Sequence, residues 1–301
     1  MISAKIIADS ISPQGTRMTT MEIEYPRFIL AELNTHRMLS KNSASSRAIP
    51  VKAMHDFIMN SPATPVYWGK NQAGMKAKEE LQNSDLSMAK YLWGKAKEDA
   101  IHWAKAMANL DLHKQITNRV TEPWMTMKTV ISGTEWSNIY WLRDHQDAQP
   151  EFGVLAKTMR TAHEASKPIL LNPGEWHLPY MVIQRDKRGE IFYRDQEGNE
   201  LKLEDARVVS ASCCAQVSYR KNDDTLEKAH KIYRQLIEST PAHASPVEHQ
   251  ATPMDVNSMC RFEPETWEDG VTHVSANSDL WSGNLRGWIQ FRKLIPNEAK
   301  W

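Results

Sequence analysis

The densest group of polar side chains in the chain lies between residues 34 and 47. His36 and Arg37 come first and Arg47 follows ten residues later, with serine and threonine hydroxyls between and beside them. Guanidinium groups bind phosphate through paired hydrogen bonds, and hydroxyls and loop amides add further donors. The spacing therefore indicates an anion site, although a helix terminus capped by serines would use the same residue types.

This segment resembles the signature of the flavin-dependent thymidylate synthases, which reads Arg-His-Arg, seven residues and then serine. Thr35, His36 and Arg37, seven further residues and Ser45 occupy those positions here. A longer form of the pattern is matched as well, at Ser40, Asn42 and Arg47. The resemblance implies that the segment forms part of a flavin and nucleotide site.

Two positions depart from the family pattern. Thr35 replaces the first arginine, and Ser43 replaces an acidic residue. The pair of changes removes one positive and one negative charge. Three alternatives therefore stay open beside thymidylate synthesis: a hydroxymethylase of the kind that suits viral (phage) DNA modification, a dCMP substrate, or a noncatalytic homologue that binds nucleotide or flavin.

Three further blocks follow the family order. Residues 26–31 resemble the entry to the helix that precedes the signature. Residues 113–123 are similar to the segment that supplies a nucleotide-binding arginine, here Arg119. Residues 138–151 resemble the stretch in which an asparagine, here Asn138, contacts the flavin and an arginine, here Arg143, contacts the pyrimidine.

Two more blocks occur out of order. Residues 215–219 and 243–249 resemble segments that lie before the signature in the family, yet here they lie near the C-terminus. A circular permutation would explain this order, because it preserves the packing when the old termini are close together. It predicts that Ser45 and Ser245 meet in one site, within a chain or across subunits.

The resemblance implies the transfer of a one-carbon unit to C5 of a pyrimidine deoxynucleoside monophosphate, with dUMP to dTMP as the default. It implies FAD as cofactor, methylenetetrahydrofolate and NADPH as co-substrates, and a homotetramer. The cysteines at 213, 214 and 260 lack the following histidine that is typical of the thiolate-dependent enzymes. A nicotinamide oxidoreductase of the Rossmann type is disfavoured, because GxGxxG does not occur.

The same resemblance assigns site residues in two groups. The cofactor group comprises His36, Arg37, Asn138, His243, Ser245, Asn284 and Arg286. The substrate group comprises Glu32, Ser45, Arg47, Arg119 and Arg143, of which Arg143 and Ser45 are the catalytic candidates. Asn284 and Arg286 compete with Asn138, because residues 283–292 also resemble the family's Asn-x-Arg flavin contact. His177 and His249 are better explained as structural, and no spacing indicates a metal site.

Composition limits the partners. Lysine plus arginine and aspartate plus glutamate both total 37, which gives no overall signal for a nucleic acid polymer or a membrane surface. The N-terminus lacks the pattern of a signal peptide, and no apolar stretch is long enough to cross a bilayer. We expect a cytoplasmic protein, or one in the host cytoplasm if the source is viral.

Hydrophobic periodicity predicts the elements that position these side chains. The expected fold is α+β, a helix-rich domain with a central, mostly antiparallel sheet. Strands are predicted over 4–9 and 17–25, and helices from Pro26 to the signature, from Ser84 or Asp85 to about 107, and over 113–121, 134–143 and 150–165. Helices are expected again after residue 205. We predict one catalytic domain over 1–301, with a helical insertion at 61–110 and a β-hairpin insertion at 179–204.

Overall fold

A computed structural model of the protein describes residues 2–218 and 223–299. Its strands are β1 (Ser3–Ile11), β2 (Arg17–Pro26), β3 (Ser40–Ser43), β4 (Thr126–Gly133), β5 (Ile169–Leu170), β6 (Val182–Arg185), β7 (Ile191–Arg194), β8 (Glu200–Leu201), β9 (Ala251–Pro253), β10 (His273–Val274), β11 (Leu280–Ser282), β12 (Leu285–Arg286) and β13 (Trp288–Gln290). Its α-helices are α1 (Leu30–Asn34), α2 (Val51–Asn60), α3 (Asn83–Asn109), α4 (Lys114–Thr117), α5 (Ser137–Arg143), α6 (Pro150–Ala165), α7 (Leu203–Ala215) and α8 (Leu226–Leu236). Among these described residues, no helix is long and apolar enough to cross a membrane. The predicted α+β class is confirmed.

The central sheet has the strand order β3-β4-β2-β1-β5, and every pairing except that of β1 with β5 is antiparallel. Met21, Ile23 and Tyr25 alternate along β2 and are fully buried against α6. Their period of two is what predicts this strand. β4 lies beside β2 but was not predicted from the sequence, because it is buried along most of its length and its residues do not alternate between apolar and polar.

The helices agree with prediction except at their ends. α3 and α6 are present, and the Gln149 side chain caps α6 by accepting a hydrogen bond from the Phe152 amide. The predicted helix over 113–121 is one α turn, α4, followed by a 3-10 helix over Asn118–Trp124 that contains Pro123. The helix expected from residue 134 begins only at Ser137. The residues before it form a turn after β4, in which the Trp136 indole donates to the Gly133 carbonyl oxygen.

The second half of the chain differs more from expectation. The predicted hairpin is present as β6 and β7, with Gly189 in its turn at a φ of 86°, and β8 adds a third strand. The expectation that helices dominate after residue 205 agrees with α7 and α8 but is wrong beyond residue 250, where β9 to β13 form two small sheets. Strands of two or three residues are too short to show a hydrophobic period, so this pattern gave no signal.

A fully buried chain of hydroxyls and imidazoles crosses one face of the central sheet. Thr20 Oγ1 lies 2.6 Å from Ser132 Oγ and 2.8 Å from His177 Nε2. Ser132 Oγ then lies 2.8 Å from His249 Nδ1. Burial lowers the pKa of both histidines to about 3. Both rings are therefore neutral in the fold, which supports their interpretation as structural residues.

This network predicts acid instability with a defined sign. Between the ordinary histidine pKa of 6.5 and about pH 3, both histidines are protonated in the unfolded chain but stay neutral in the folded chain. The free energy of unfolding should therefore fall as the pH falls, by about 1.4 kcal/mol per pH unit for each histidine. In urea unfolding below about pH 5.5, His249→Asn should reduce the slope by that amount. The exposed His102→Asn serves as control, and equal slopes for His249→Asn and the wild type would contradict the prediction.

Candidate active site

The signature residues follow the short helix α1. The Thr35 hydroxyl donates to the Glu32 carbonyl oxygen at 2.7 Å, which closes the helix, and His36 and Arg37 follow directly. The Lys41 ammonium donates to the carbonyl oxygens of His36 and Leu39, at 2.5 and 2.8 Å. Lys41 therefore fixes the turn that presents the signature side chains. Sequence reasoning missed it, because a single lysine in a polar segment carries no pattern.

Arg143, at the end of α5, connects three residues of this turn. Its Nε donates to His36 Nε2 at 3.0 Å, and its Nη1 lies 3.4 Å from a carboxylate oxygen of Glu32. Nη2 reaches the Thr35 hydroxyl at 3.5 Å, and the guanidinium lies 4.7 Å from the centre of the Phe152 ring. Aromatic stacking and several hydrogen bonds together hold the guanidinium in one orientation.

The environment keeps His36 neutral. Burial lowers its pKa to about 4, and the charges of Arg143 and Lys41 lower it further in the same direction. Nε2 accepts from Arg143, which places the ring proton on Nδ1. At neutral pH His36 can thus orient Arg143 or a ligand, and it has little capacity to act as an acid. Burial also lowers the pKa of Lys41 to about 8, against the opposing charge of Glu248.

A cleft of about 290 Å³ opens beside this cluster. Its lining comprises Thr35, His36, Arg37, Met38, Leu39, Glu135, Asn138, Ile139, Leu142 and Arg143. The side chains of Arg37 and Asn138 make no hydrogen bond or ion pair to the described part of the chain. Exposed apolar side chains, Met38, Leu142 and the neighbouring Trp141, adjoin them. The cleft therefore offers unpaired donors beside an apolar surface.

A second polar group surrounds Ser45. The Ser45 amide donates to the Ser218 hydroxyl at 2.9 Å, and the Ser45 hydroxyl accepts from the Arg47 amide. Arg47 is exposed, and among the described residues its guanidinium has no ion pair. Arg119 is 57% exposed and lies 3.7 Å from Glu122. The group thus presents one free and one weakly paired guanidinium to solvent.

Lys114 adds a cation that sequence reasoning did not assign. Its ammonium donates to the Ala48 carbonyl oxygen at 3.1 Å, one residue beyond Arg47. Asn118 holds the same loop through the carbonyl oxygens of Ser46 and Ile49. Lys114 lies five residues before Arg119, so only the loop's path in three dimensions shows that it reaches the Arg47 turn.

The two groups lie on opposite ends of β3. Its four residues extend over roughly 10 Å at about 3.3 Å per residue, so Arg143 and Arg47 are not brought together. Within residues 2–218 and 223–299, no side-chain hydrogen bond or ion pair connects the Arg143 cluster to the Ser45 group. One chain therefore carries two separate halves of the predicted site.

The C-terminal blocks pack against the signature segment. Asn284 donates to the Met38 carbonyl oxygen at 3.2 Å, and its own side-chain oxygen accepts from Ser40 and Gln290. Arg286 is bound to Glu135, at 2.7 Å. Both side chains thus have partners within the protein, whereas Asn138 has a free amide.

The other permuted residues are placed less centrally. The 3-10 helix Ser245–Glu248 packs on β3, and Ser218 contacts Ser45 as described above. His243 is exposed, and no described contact joins Ser245 to Ser45. Tyr219, the last residue of the first block, lies outside the described residues.

The two adjacent cysteines near the end of α7 are buried. Burial raises the pKa of the Cys213 thiol to about 12 and that of Cys214 well above its ordinary value, so neither is poised as a thiolate nucleophile. Cys260 is exposed on a C-terminal loop. Among residues 2–218 and 223–299, no group of three or more His, Cys, Asp or Glu side chains could hold a metal ion.

The sequence matches one family model. The family model described as thymidylate synthase complementing protein matches residues 10–169. A search of curated proteins gave no match. Among solved structures, the UMP/dUMP methylase PolB from Streptomyces cacaoi, bound with 5-Br UMP, is 15% identical, with a TM-score of 0.46 over 54% of this chain and 88% of that one.

A second solved structure is Thymidylate Synthase X from Helicobacter pylori with FAD and dUMP. It is 15% identical, with a TM-score of 0.34 over 48% of this chain and 67% of that one. Because these TM-scores are low, the assignment rests on the sequence match, which covers residues 10–169 of 301 and includes His36, Ser45 and Arg143. The chain therefore belongs to the thymidylate synthase complementing protein family, that of the flavin-dependent thymidylate synthases.

Proposed function

We propose that this protein transfers a one-carbon unit from methylenetetrahydrofolate to C5 of a pyrimidine deoxynucleoside monophosphate, converting dUMP to dTMP. The observation that carries the proposal is the Arg143 guanidinium, held on His36 and Glu32 at the edge of a cleft with unpaired Arg37 and Asn138. Of the two solved structures named above, PolB was solved with 5-Br UMP and Thymidylate Synthase X with FAD and dUMP.

The donor set of the cleft fits FAD. Arg37 has a free guanidinium for the diphosphate, and Asn138 has a free amide for the ring edge. We assign the flavin contact to Asn138, since Asn284 already uses both amide atoms on Met38, Ser40 and Gln290. When bound, FAD supplies the reducing equivalents that NADPH delivers.

The phosphate of the nucleotide fits the Ser45 group. Arg47 offers an unpaired guanidinium that can donate two hydrogen bonds to a phosphate. Ser45 and its loop offer hydroxyl and amide donors, and Arg119 and Lys114 add positive charge. Since Arg143 lies beyond β3, it would act on a nucleotide held by another copy of the chain. The cleft, at about 290 Å³, also lies at the small end for a ligand pocket. Both observations support sites that are shared between subunits, as in the homotetramer that the family resemblance implies.

In this arrangement Arg143 stabilises the charge that develops on the base carbonyl oxygen as C5 attacks the methylene carbon. The methylene carbon forms a bond to C5 and gives up its two bonds to the folate nitrogens. The proton lost from C5 and one proton from solvent restore the two N–H groups of tetrahydrofolate, which leaves, and a hydride equivalent that originates in NADPH completes the methyl group. No thiolate adds to C6 in this scheme, which agrees with the buried thiol of Cys213.

The residues that depart from the family pattern favour a second candidate, a 5-hydroxymethylase acting on dUMP or dCMP. The Thr35 hydroxyl is used on the Glu32 carbonyl oxygen, and the Ser43 hydroxyl lies 2.8 Å from that of Thr129. Position 35 therefore brings no cation to the cleft. If water rather than hydride completes the reaction, the product is a hydroxymethyl nucleotide and NADPH is not consumed.

Flavin binding provides the first test. The purified protein should be yellow or become so on reconstitution with FAD, and Arg37→Ala should weaken FAD binding roughly 10- to 100-fold. Arg188→Ala, an exposed arginine in the β6–β7 turn, is the matched control. A colourless wild type that binds no FAD in a fluorescence titration would remove the basis of the proposal.

A further inference from the structure

The long helix α3 carries apolar side chains on two different faces. One face is buried in the protein and includes Ala100 and Ala104. A second set is exposed to solvent and comprises Met88, Tyr91, Leu92, Ala96, Trp103, Ala106 and, just beyond the helix, Leu110. At about 100° per residue, Met88, Leu92 and Trp103 point into one sector of about 60°. We call this row of exposed side chains the α3 stripe.

The exposed area of the α3 stripe is large enough for an interface. Trp103 and Tyr91 keep 60% and 58% of their surface exposed, and Leu92 keeps 57%. Aromatic side chains offer about 150–250 Å² each, so the stripe exposes roughly 400 Å² of apolar surface. A patch of this size typically marks an interaction surface. Because α3 has 27 residues and is therefore about 40 Å long, its polar flanks can supply the rest of the roughly 800 Å² per partner that a stable dimer buries.

Two opposite charges lie along one edge of the stripe. Lys95 pairs with Glu98 of its own helix, at 2.7 Å. Asp99, one helical turn after Lys95, has no hydrogen bond or ion pair with any residue that the structure describes. The stripe thus combines an apolar row with a cation and an unpaired carboxylate, four positions apart.

We propose that α3 packs antiparallel against α3 of a second copy of this chain, about a two-fold axis at the level of Lys97. In such a pair, positions at equal distances from the axis face each other. Lys95 and Asp99 each lie two positions from Lys97, so the Lys95 ammonium of one copy faces the Asp99 carboxylate of the other. The charges of the stripe are therefore complementary to themselves.

The sizes of the apolar side chains are complementary in the same register. Met88 and Ala106 each lie nine positions from the axis, so a large side chain of one copy meets a small one of the other. Leu92 and Trp103, at five and six positions, likewise cover each other. A parallel pair would instead place every residue opposite its own copy, with Lys95 against Lys95 and Asp99 against Asp99, which is repulsive.

Disulfide cross-linking of the full-length protein tests the register. Cys260→Ser first removes the exposed native thiol. In that background Ala96→Cys should form a disulfide-linked dimer on mild oxidation, because the two copies of position 96 face each other and differ by only about 3 Å along the helix axes. Lys105→Cys is exposed on the same helix but lies outside the stripe, and it should give no dimer.

Sedimentation velocity tests the surface and its charges. Leu92→Glu should reduce the mass of the assembly by half, whereas Phe262→Glu, at an exposed position of a C-terminal loop, should not change it. Lys95→Asp and Asp99→Lys should each weaken the association roughly 10- to 100-fold, and the double variant should recover most of this loss. Thermal unfolding establishes that each variant is folded.

The inference is overturned if the wild type sediments as a monomer, if Leu92→Glu keeps the wild-type mass, or if Lys105→Cys cross-links as well as Ala96→Cys. It is also overturned if the stripe serves a membrane surface. In that case vesicles of phosphatidylcholine and phosphatidylglycerol would float the wild type but not Leu92→Glu, and the two proteins would have equal masses. FAD and dUMP binding are measured on the same samples, and their absence beside an intact Ala96→Cys cross-link would contradict the proposed function alone.

Discussion

Arg143→Ala should lower the rate of one-carbon transfer about 100- to 1,000-fold while FAD still binds. The guanidinium is the only part of its side chain that can donate to a developing charge, and loss of one such donor typically costs this much. Arg143→Lys should recover little of the transfer rate. An ammonium lacks the planar, forked set of N–H groups with which a guanidinium donates to His36, Glu32 and a ligand at the same time. Single-turnover measurements with dUMP separate this loss from effects on binding.

The same variant carries a spectroscopic signature. The charge of Arg143 is a cause of the low His36 pKa, second to burial. Removing it should raise the His36 pKa from about 4 toward its ordinary value, as followed by NMR titration of the ring. Arg160→Ala is the control, since this arginine on α6 pairs with Asp144 and not with the signature turn. A full transfer rate in Arg143→Ala would show that the catalytic assignment is wrong.

Arg47→Ala should raise KM for dUMP roughly 10- to 100-fold and leave kcat within a few-fold of wild type. Its free guanidinium is the best placed group for the phosphate, and a charged hydrogen-bond pair contributes about this much to binding. Arg119→Ala should have a smaller effect, because that guanidinium is largely exposed and is shared with Glu122.

Deoxyuridine, which lacks the phosphate, provides the comparison. Wild type and Arg47→Ala should use it equally poorly, because the group that Arg47 binds is absent. The assignment of Arg47 to the phosphate fails if the variant loses the same factor on deoxyuridine as on dUMP. Steady-state rates with both substrates at matched concentrations decide this.

Much of the scaffold could be predicted because its elements carry clear periods. β2 alternates buried Met21, Ile23 and Tyr25, and α3 and α6 repeat apolar residues at helical spacing. β4 has buried residues on both faces and therefore no period, and β9 to β13 are too short to have one. The strand that receives β3, and so positions the signature, was thus invisible in the sequence.

The candidate site shows a similar division. Family motifs identified His36 and Arg143 separately, but the hydrogen bond between them joins residues 107 positions apart and depends on how α5 leaves β4. No role was assigned to Lys41 or Lys114 from the sequence, because each ammonium donates to a backbone carbonyl oxygen that only the folded loop brings near. The choice between Asn138 and Asn284 likewise required knowing which amide is already hydrogen bonded within the protein.

The central claim is tested most directly by the product. The protein with FAD is incubated with dUMP, NADPH and methylenetetrahydrofolate labelled in the transferred carbon, and the nucleotide is analysed by mass spectrometry while NADPH oxidation is followed. We predict labelled dTMP, with one NADPH oxidised for each nucleotide formed. A labelled hydroxymethyl nucleotide without NADPH oxidation, or unchanged dUMP from a protein that binds FAD, would contradict it.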